Sequence, residues 1–170
     1  MGEPALETFD PYLQLKALDR RRVTFIIIGA FARVIHGTDE VTDGLDIVPS
    51  TRPENLRRLE EALRDLNAER ADGQDQLLGE GDSLDQVIAF RTDGGELNVV
   101  AEPEGTRGFD DLRYAATREP LGEGLRPSVA SLGDLARMLG ALGRETDIER
   151  LRTVRRVIEL ERELGLGLEI

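Results

Sequence analysis

Two stretches decide the fold: Val23-Thr-Phe-Ile-Ile-Ile-Gly29-Ala30-Phe-Ala32 and Thr42-Asp43-Gly44-Leu45-Asp46-Ile-Val-Pro49. The first is a β-branched apolar run that stops at a glycine. A short, continuous run of this kind predicts a strand covered on both faces. Residues 30–35 then read as a short helix, ended by His36-Gly37, where glycine supplies a left-handed stop. The free N–H groups at the start of such a helix attract anions. Residues 45–48 form the second short strand, closed by Pro49. Side chains alternate along a strand, so Gly44 and Asp46 share one face and Asp43 points to the other. Residues 86–91 and 96–101 read as two strands joined by Asp93-Gly94-Gly95, a hairpin signal. On the second of these, Glu96, Asn98 and Val100 share a face.

The rest of the chain follows from helical spacing. Residues 11–22 read as a helix with Arg20 to Arg22 in its last turn, where positive charge suits the dipole. Residues 51–66 carry a stripe of Leu56, Leu59, Leu63 and Leu66, with Thr51 and Glu54 as a capping box and Pro53 in the first turn. Residues 71–85 are polar and glycine-rich, a loop with a short strand expected at 76–78. A helix at 109–116 and a strand at 125–130 come next. Ser131 and Asp134 cap a helix over 132–142 that Gly143 stops. Thr146 and Glu149 form a second capping box before Ile148, Leu151, Val154 and Ile158. The pattern is a mixed α/β sheet with a C-terminal helical hairpin. It divides into an N-terminal helix (1–22), an α/β core (23–130) and the hairpin (131–170), packed as one unit.

Composition narrows the chemistry. The chain has 170 residues, no cysteine and one histidine, which excludes thiolate sites, cysteine nucleophiles and multi-histidine metal centres. The net charge of −12 opposes general binding to duplex DNA or to anionic membranes. No apolar run approaches the ~18 residues that span a bilayer, and residues 1–10 lack a signal pattern, so a soluble cytoplasmic protein is expected. His36 reads as a helix-end residue. Arg144 and Asp147 read as ties between the tail helices, and Asp110-Asp111 as a solvated helix start. Arg150, Arg152, Arg155 and Arg156 read as partners of Glu149, Glu159 and Glu163 at helical spacing.

Several motifs occur in an order that resembles the minimal nucleotidyltransferase superfamily, in particular its bacterial standalone and toxin-like branch. They are Gly29-Ala30, His36-Gly37, Thr42-Asp43-Gly44-Leu45-Asp46, Gly95-Glu96-Leu97-Asn98, Met138-Leu139 and Arg144-Glu-Thr-Asp147. The resemblance runs from about Val23 to Ile158. It implies a nucleotidyltransferase-like mixed sheet flanked by helices. It also implies a nucleotide held near Gly29, Ala30 and Thr42, and divalent metal held by three aspartates.

The departures from that pattern decide the functional expectation. The first metal aspartate falls on Gly44, the second on Asp46 and the third on Asn98. Leu139 stands where a lysine is common, and Glu40 where an arginine often lies. One carboxylate remains of three, so Mg²⁺ at Asp46 is expected to be weak or lost, along with most of the charge neutralisation that drives phosphoryl transfer. The first expectation is therefore a pseudoenzyme: a degenerate homologue that binds a nucleotide or a protein partner, in a toxin–antitoxin-like setting. The second is an active enzyme that moves a nucleotide from an NTP to a protein, RNA or small-molecule hydroxyl, using Asp46 with Glu96 or Asp43. Glu96 lies about 7 Å along the strand from Asn98, and Asp43 needs a bulge to rotate it. The third is an unrelated acidic interaction domain.

Overall fold

The computed structural model describes residues 9–79 and 86–165. The apolar run becomes β1 (Phe25–Ile28), in which Ile26, Ile27 and Ile28 are all buried. It passes directly into α2 (Gly29–Ile35). β2 (Gly44–Pro49) returns antiparallel to β1, with Asp46 opposite Ile28. The hairpin forms as β4 (Ile88–Thr92) and β5 (Gly95–Val99). β5 lies parallel to β2, which sets Glu96 beside Gly44 and Asn98 beside Asp46. The edges are short. β3 (Glu69–Arg70) pairs with β4, and β6 (Thr117–Arg118) pairs with β7 (Ser128–Val129). The result is one mixed sheet in the order β3-β4-β5-β2-β1-β7-β6. Four long-sequence strands sit at its centre, where apolar side chains are covered from both sides.

Helices cover the sheet. α1 (Pro11–Arg20) is capped by Asp10, which accepts from Leu13 N–H, and it ends two residues before the expected stop because Arg22 turns into the left-handed region. Gln14 of α1 donates to the carbonyls of Gly95 and Glu96, clamping the helix to the hairpin. α3 (Pro53–Asp65) lacks the expected capping box, since its N-cap is Arg52 and Thr51 lies one position too early. A different side chain anchors it. Buried Asn55 accepts from Thr24 N–H and donates to the carbonyls of Thr24 and Ser50, tying α3 to the ends of β1 and β2.

α4 (Phe109–Leu112) is a single turn rather than a helix over 109–116; residues 113–115 turn before the chain enters β6. The strand expected over 125–130 is only β7, paired along two residues on each side. Residues 76–78 bend rather than pair; residues 80–85 of that loop lie outside the described residues, as do residues 1–8 and 166–170.

The tail forms α5 (Leu132–Leu142) and α6 (Ile148–Glu163), joined by a 3₁₀ turn at Glu145–Asp147. Ser131 caps α5 by accepting from Asp134 N–H, and Gly143 stops it at φ +60°. The second expected capping box does not form. The 3₁₀ turn takes up Thr146, and Asp147 becomes the N-cap residue with its carboxylate turned to arginines instead. One apolar cluster runs from Leu15 of α1 to Val154 of α6, so the hairpin shares the core of the sheet. Among the described residues no helix is long and apolar enough to cross a membrane.

Asn55 satisfies three backbone groups at a buried junction, and each orphaned group costs about 1–3 kcal/mol. Asn55→Ala should therefore lower the unfolding free energy by about 2–4 kcal/mol in a urea titration. Exposed Arg57→Ala, on the same helix, is the matched control and should change it by less than about 0.5 kcal/mol.

Candidate functional site

The β1–α2 corner and the centre of β2 and β5 meet at one point. Gly29 has φ +75°, a region that glycine alone enters freely. A Cβ there would also overlap Asp46 Oδ2. The glycine therefore serves two constraints: a sharp strand-to-helix turn and the close approach of a carboxylate. The parallel register then brings Asn98 Nδ2 to Asp46 Oδ1, a donated hydrogen bond of 2.8 Å.

The parity read from the sequence holds. Gly44, Asp46, Glu96 and Asn98 come together across two adjacent strands. Burial raises the Asp46 pKa, and the like charges of Glu96 and Asp43 push it the same way. The hydrogen bond from Asn98 and the charge of Arg33 offset part of this, and the net direction is upward. Gly44 has no left-handed φ. A Cβ there would lie 3.3 Å from Glu96 Cβ, a tight but adjustable contact with a side chain. The backbone therefore does not demand glycine at this position.

A cavity of about 550 Å³ opens at this corner. Gly29, Ala30, Asp46 and Asn98 line its floor, and Leu135, Met138, Leu139 and Leu142 of α5 contribute an apolar wall. Thr42 does not line it; its hydroxyl donates to the Gly44 carbonyl at 3.0 Å and so shapes the entry to β2. His36 bonds the Ala130 carbonyl at 2.8 Å, which ties α2 to the end of β7, as a helix-end residue does.

The sequence reading missed an ionic chain along the cavity. Buried Arg33 holds Glu40 through two hydrogen bonds of 2.7 and 2.8 Å. Arg150 reaches the same carboxylate at 3.6 Å and donates to Asp147 at 2.9 Å. Arg144 donates to the other oxygen of Asp147 at 2.5 Å. Arg150 thus pairs with Asp147 at helical spacing and with Glu40 from the α/β core, rather than with the glutamates expected on α6, whereas Arg152 does pair with Glu149. The Arg144–Asp147 tie is as expected. Burial pushes both acids upward, but the arginine hydrogen bonds and charges prevail and hold Glu40 and Asp147 below the usual carboxylate range. Glu40 lies seven residues beyond Arg33, across a turn, so no helical spacing links them in the sequence.

The resemblance implies a divalent metal at the three aspartate positions, and the side chains present do not fit one. Only Asp46 is an acid there. Asn98 brings a neutral amide, turned by its N–H to Asp46, so the three positions carry one negative charge where a site for a divalent cation needs more. Among the described residues no three acidic or histidine side chains converge as a metal site.

No protein-family model matches the sequence, and no curated protein does. Solved structures do match. The solution structure of the antibiotic-resistance factor ANT(2'')-Ia has a TM-score of 0.60 at 15% identity, covering 94% of this chain and 92% of that one. Its crystal structure in complex with adenylyl-2''-tobramycin has a TM-score of 0.57 at 15% identity, covering 93% and 96%. A Thermotoga maritima protein described as a candidate nucleotidyltransferase has a TM-score of 0.55 at 17% identity, covering 88% and 96%. The chain has the nucleotidyltransferase fold.

Two substitutions check the corner. Gly29→Ala should cost about 2–4 kcal/mol, from the left-handed backbone and the overlap with Asp46. Adding Asp46→Ala should return about 1–2 kcal/mol of that cost in a double-mutant cycle, because the overlap then disappears. The raised Asp46 pKa also has a sign. The folded chain favours the protonated acid, so its stabilising contribution is complete below the ordinary value near 3.8 and is lost as pH rises through the raised folded value. Asp46→Asn should melt above the parent at neutral pH, and the gap should close as the pH approaches 3.8.

Proposed function

We propose that this nucleotidyltransferase-fold protein is a catalytically degenerate homologue that keeps its cleft as a module for binding a nucleotide or a protein partner. One observation carries the reading. The single carboxylate at the three metal positions is engaged by an amide N–H. Metal-dependent transfer needs anionic oxygens that hold a cation against the triphosphate, and the cation's charge then stabilises the transferring group. Here one anion stands where three would be needed, and its neighbour is a donor. The remaining frame is intact: the Gly29 turn, the β2–β5 register and the cavity beneath α5. A nucleotide is the first ligand class to test, because ANT(2'')-Ia, of like fold, is known in complex with an adenylylated product.

A second reading has one observation in its favour. Glu96 stands beside Gly44, and both Glu96 and Asp43 raise the Asp46 pKa, so negative charge gathers around the corner. An active enzyme would use Asp46 with one of them. The two readings separate in one assay. The purified protein is incubated with each labelled NTP, Mg²⁺ or Mn²⁺ and a cell extract. The degenerate reading expects no label transfer. Transfer that vanishes in Asp46→Ala would overturn it.

The frame itself is testable by repair. Gly44 can accept a side chain, and Asn98→Asp changes an amide to a carboxylate of the same shape. Gly44→Asp with Asn98→Asp should bind Mn²⁺ at least tenfold more tightly than the parent by calorimetry, a gain of about 1.4 kcal/mol or more. No gain counts against the assignment of these positions.

A further inference from the structure

The ionic chain beside the corner bears on what the cavity selects. Three guanidinium groups line it, those of Arg33, Arg144 and Arg150. Two carboxylates, Glu40 and Asp147, partner them. The cluster is left with one unit of positive charge. Its donors are not all used. Arg144 gives only Nε to Asp147, and Arg150 leaves one terminal nitrogen without a partner among the described residues. Arg144 and Arg150 are both about half exposed, so these donors meet solvent. Arg33 is buried and spent on Glu40, so it supplies charge but no free fork.

The remainder of the cavity repels a polyanion. Asp46 lies on the floor, and Glu102 and Glu104 also line the walls. The family lysine position is Leu139, which belongs to the apolar wall with Leu135 and Met138. A triphosphate normally enters such a cleft with a divalent cation that offsets its charge, and the corner does not fit that cation. A phosphomonoester carries about −1.5 to −2 charges at neutral pH. A carboxylate carries one. A carboxylate matches the one positive unit the arginine cluster has to spare and a phosphomonoester exceeds it by about one unit or less, and an uncharged body of either ligand would lie on the α5 wall.

We propose that the cavity takes a small molecule with one anionic group, a phosphomonoester or a carboxylate on an uncharged body, held by Arg144 and Arg150 without metal and in preference to a triphosphate. This inference rests on the degenerate reading, and it names the ligand class of that site. Arginine suits the task, because its planar fork meets two oxygens of a phosphate or carboxylate at once.

The test is calorimetry on the full chain in EDTA with three probes: AMP, ATP and hexanoate. AMP or hexanoate should bind, and the one that does identifies the source of the anion. ATP should bind at least tenfold more weakly. Arg144→Gln should weaken the preferred probe at least tenfold. A second variant guards against loss of folding: Glu102→Gln with Glu104→Gln changes two exposed wall residues and should narrow the gap between ATP and the preferred probe. ATP binding more tightly than both other probes overturns the proposal, as does binding of neither AMP nor hexanoate. A gap that is unchanged in the glutamate variant also overturns it. Label transfer from NTP in the assay above would sink the degenerate reading itself. Absent transfer together with absent binding would sink only the ligand class.

Discussion

The hydrogen bond from Asn98 to Asp46 is the point on which this structure turns. It exists because two central strands run parallel in a register that sets residue 46 against residue 98. That register is fixed from both sides. β1 pins β2 through the pairing of Ile28 with Asp46, and β4 pins β5 through the hairpin. A slip of one residue would turn every side chain of β2 over, moving Leu45 and Ile47 toward the cavity and the Asp46 carboxylate into the apolar core. The apolar core therefore enforces the geometry of the polar corner. Gly29 completes the arrangement, since any larger residue would occupy the space of the Asp46 carboxylate.

Around that corner, charges are paired locally. Glu40 and Asp147 are each held by two arginines, and both arise from segments that connect elements, the turn after α2 and the 3₁₀ turn before α6. Breaking such a pair strands a charge, which costs more than the pair returns when formed. The chain of ions thus fixes where the hairpin meets the core, and it sets the sign of the potential along the cavity wall. Within the chain of ions itself, three arginines face two carboxylates and leave one positive unit.

Most of this architecture was legible in the sequence, for identifiable reasons. The buried strand at Ile26 to Ile28, the glycine turn, the hairpin at Asp93-Gly94-Gly95 and the Ser131 cap each follow from local chemistry that the core reinforces. The parity that unites Gly44, Asp46, Glu96 and Asn98 follows from the two-residue period of strands. The failures have a common cause in long-range contacts. Neither capping box formed, because α3 is anchored by Asn55 and the start of α6 by the arginines on Asp147. β3 and β6 are two-residue edge strands with no pattern of their own, made by the neighbours that pair with them. Arg150 looked like one member of a solvated helix face, and nothing in its spacing revealed that Glu40, more than a hundred residues earlier, would lie beside it.

Gly44 carries a last implication. Its backbone stays out of the left-handed region, so the strand does not require a glycine there. A side chain added there presses on Glu96, which must give by a few tenths of an ångström, and meets no backbone constraint of its own. Such a position lets the chemistry of a cleft change while the scaffold around it stays as it is.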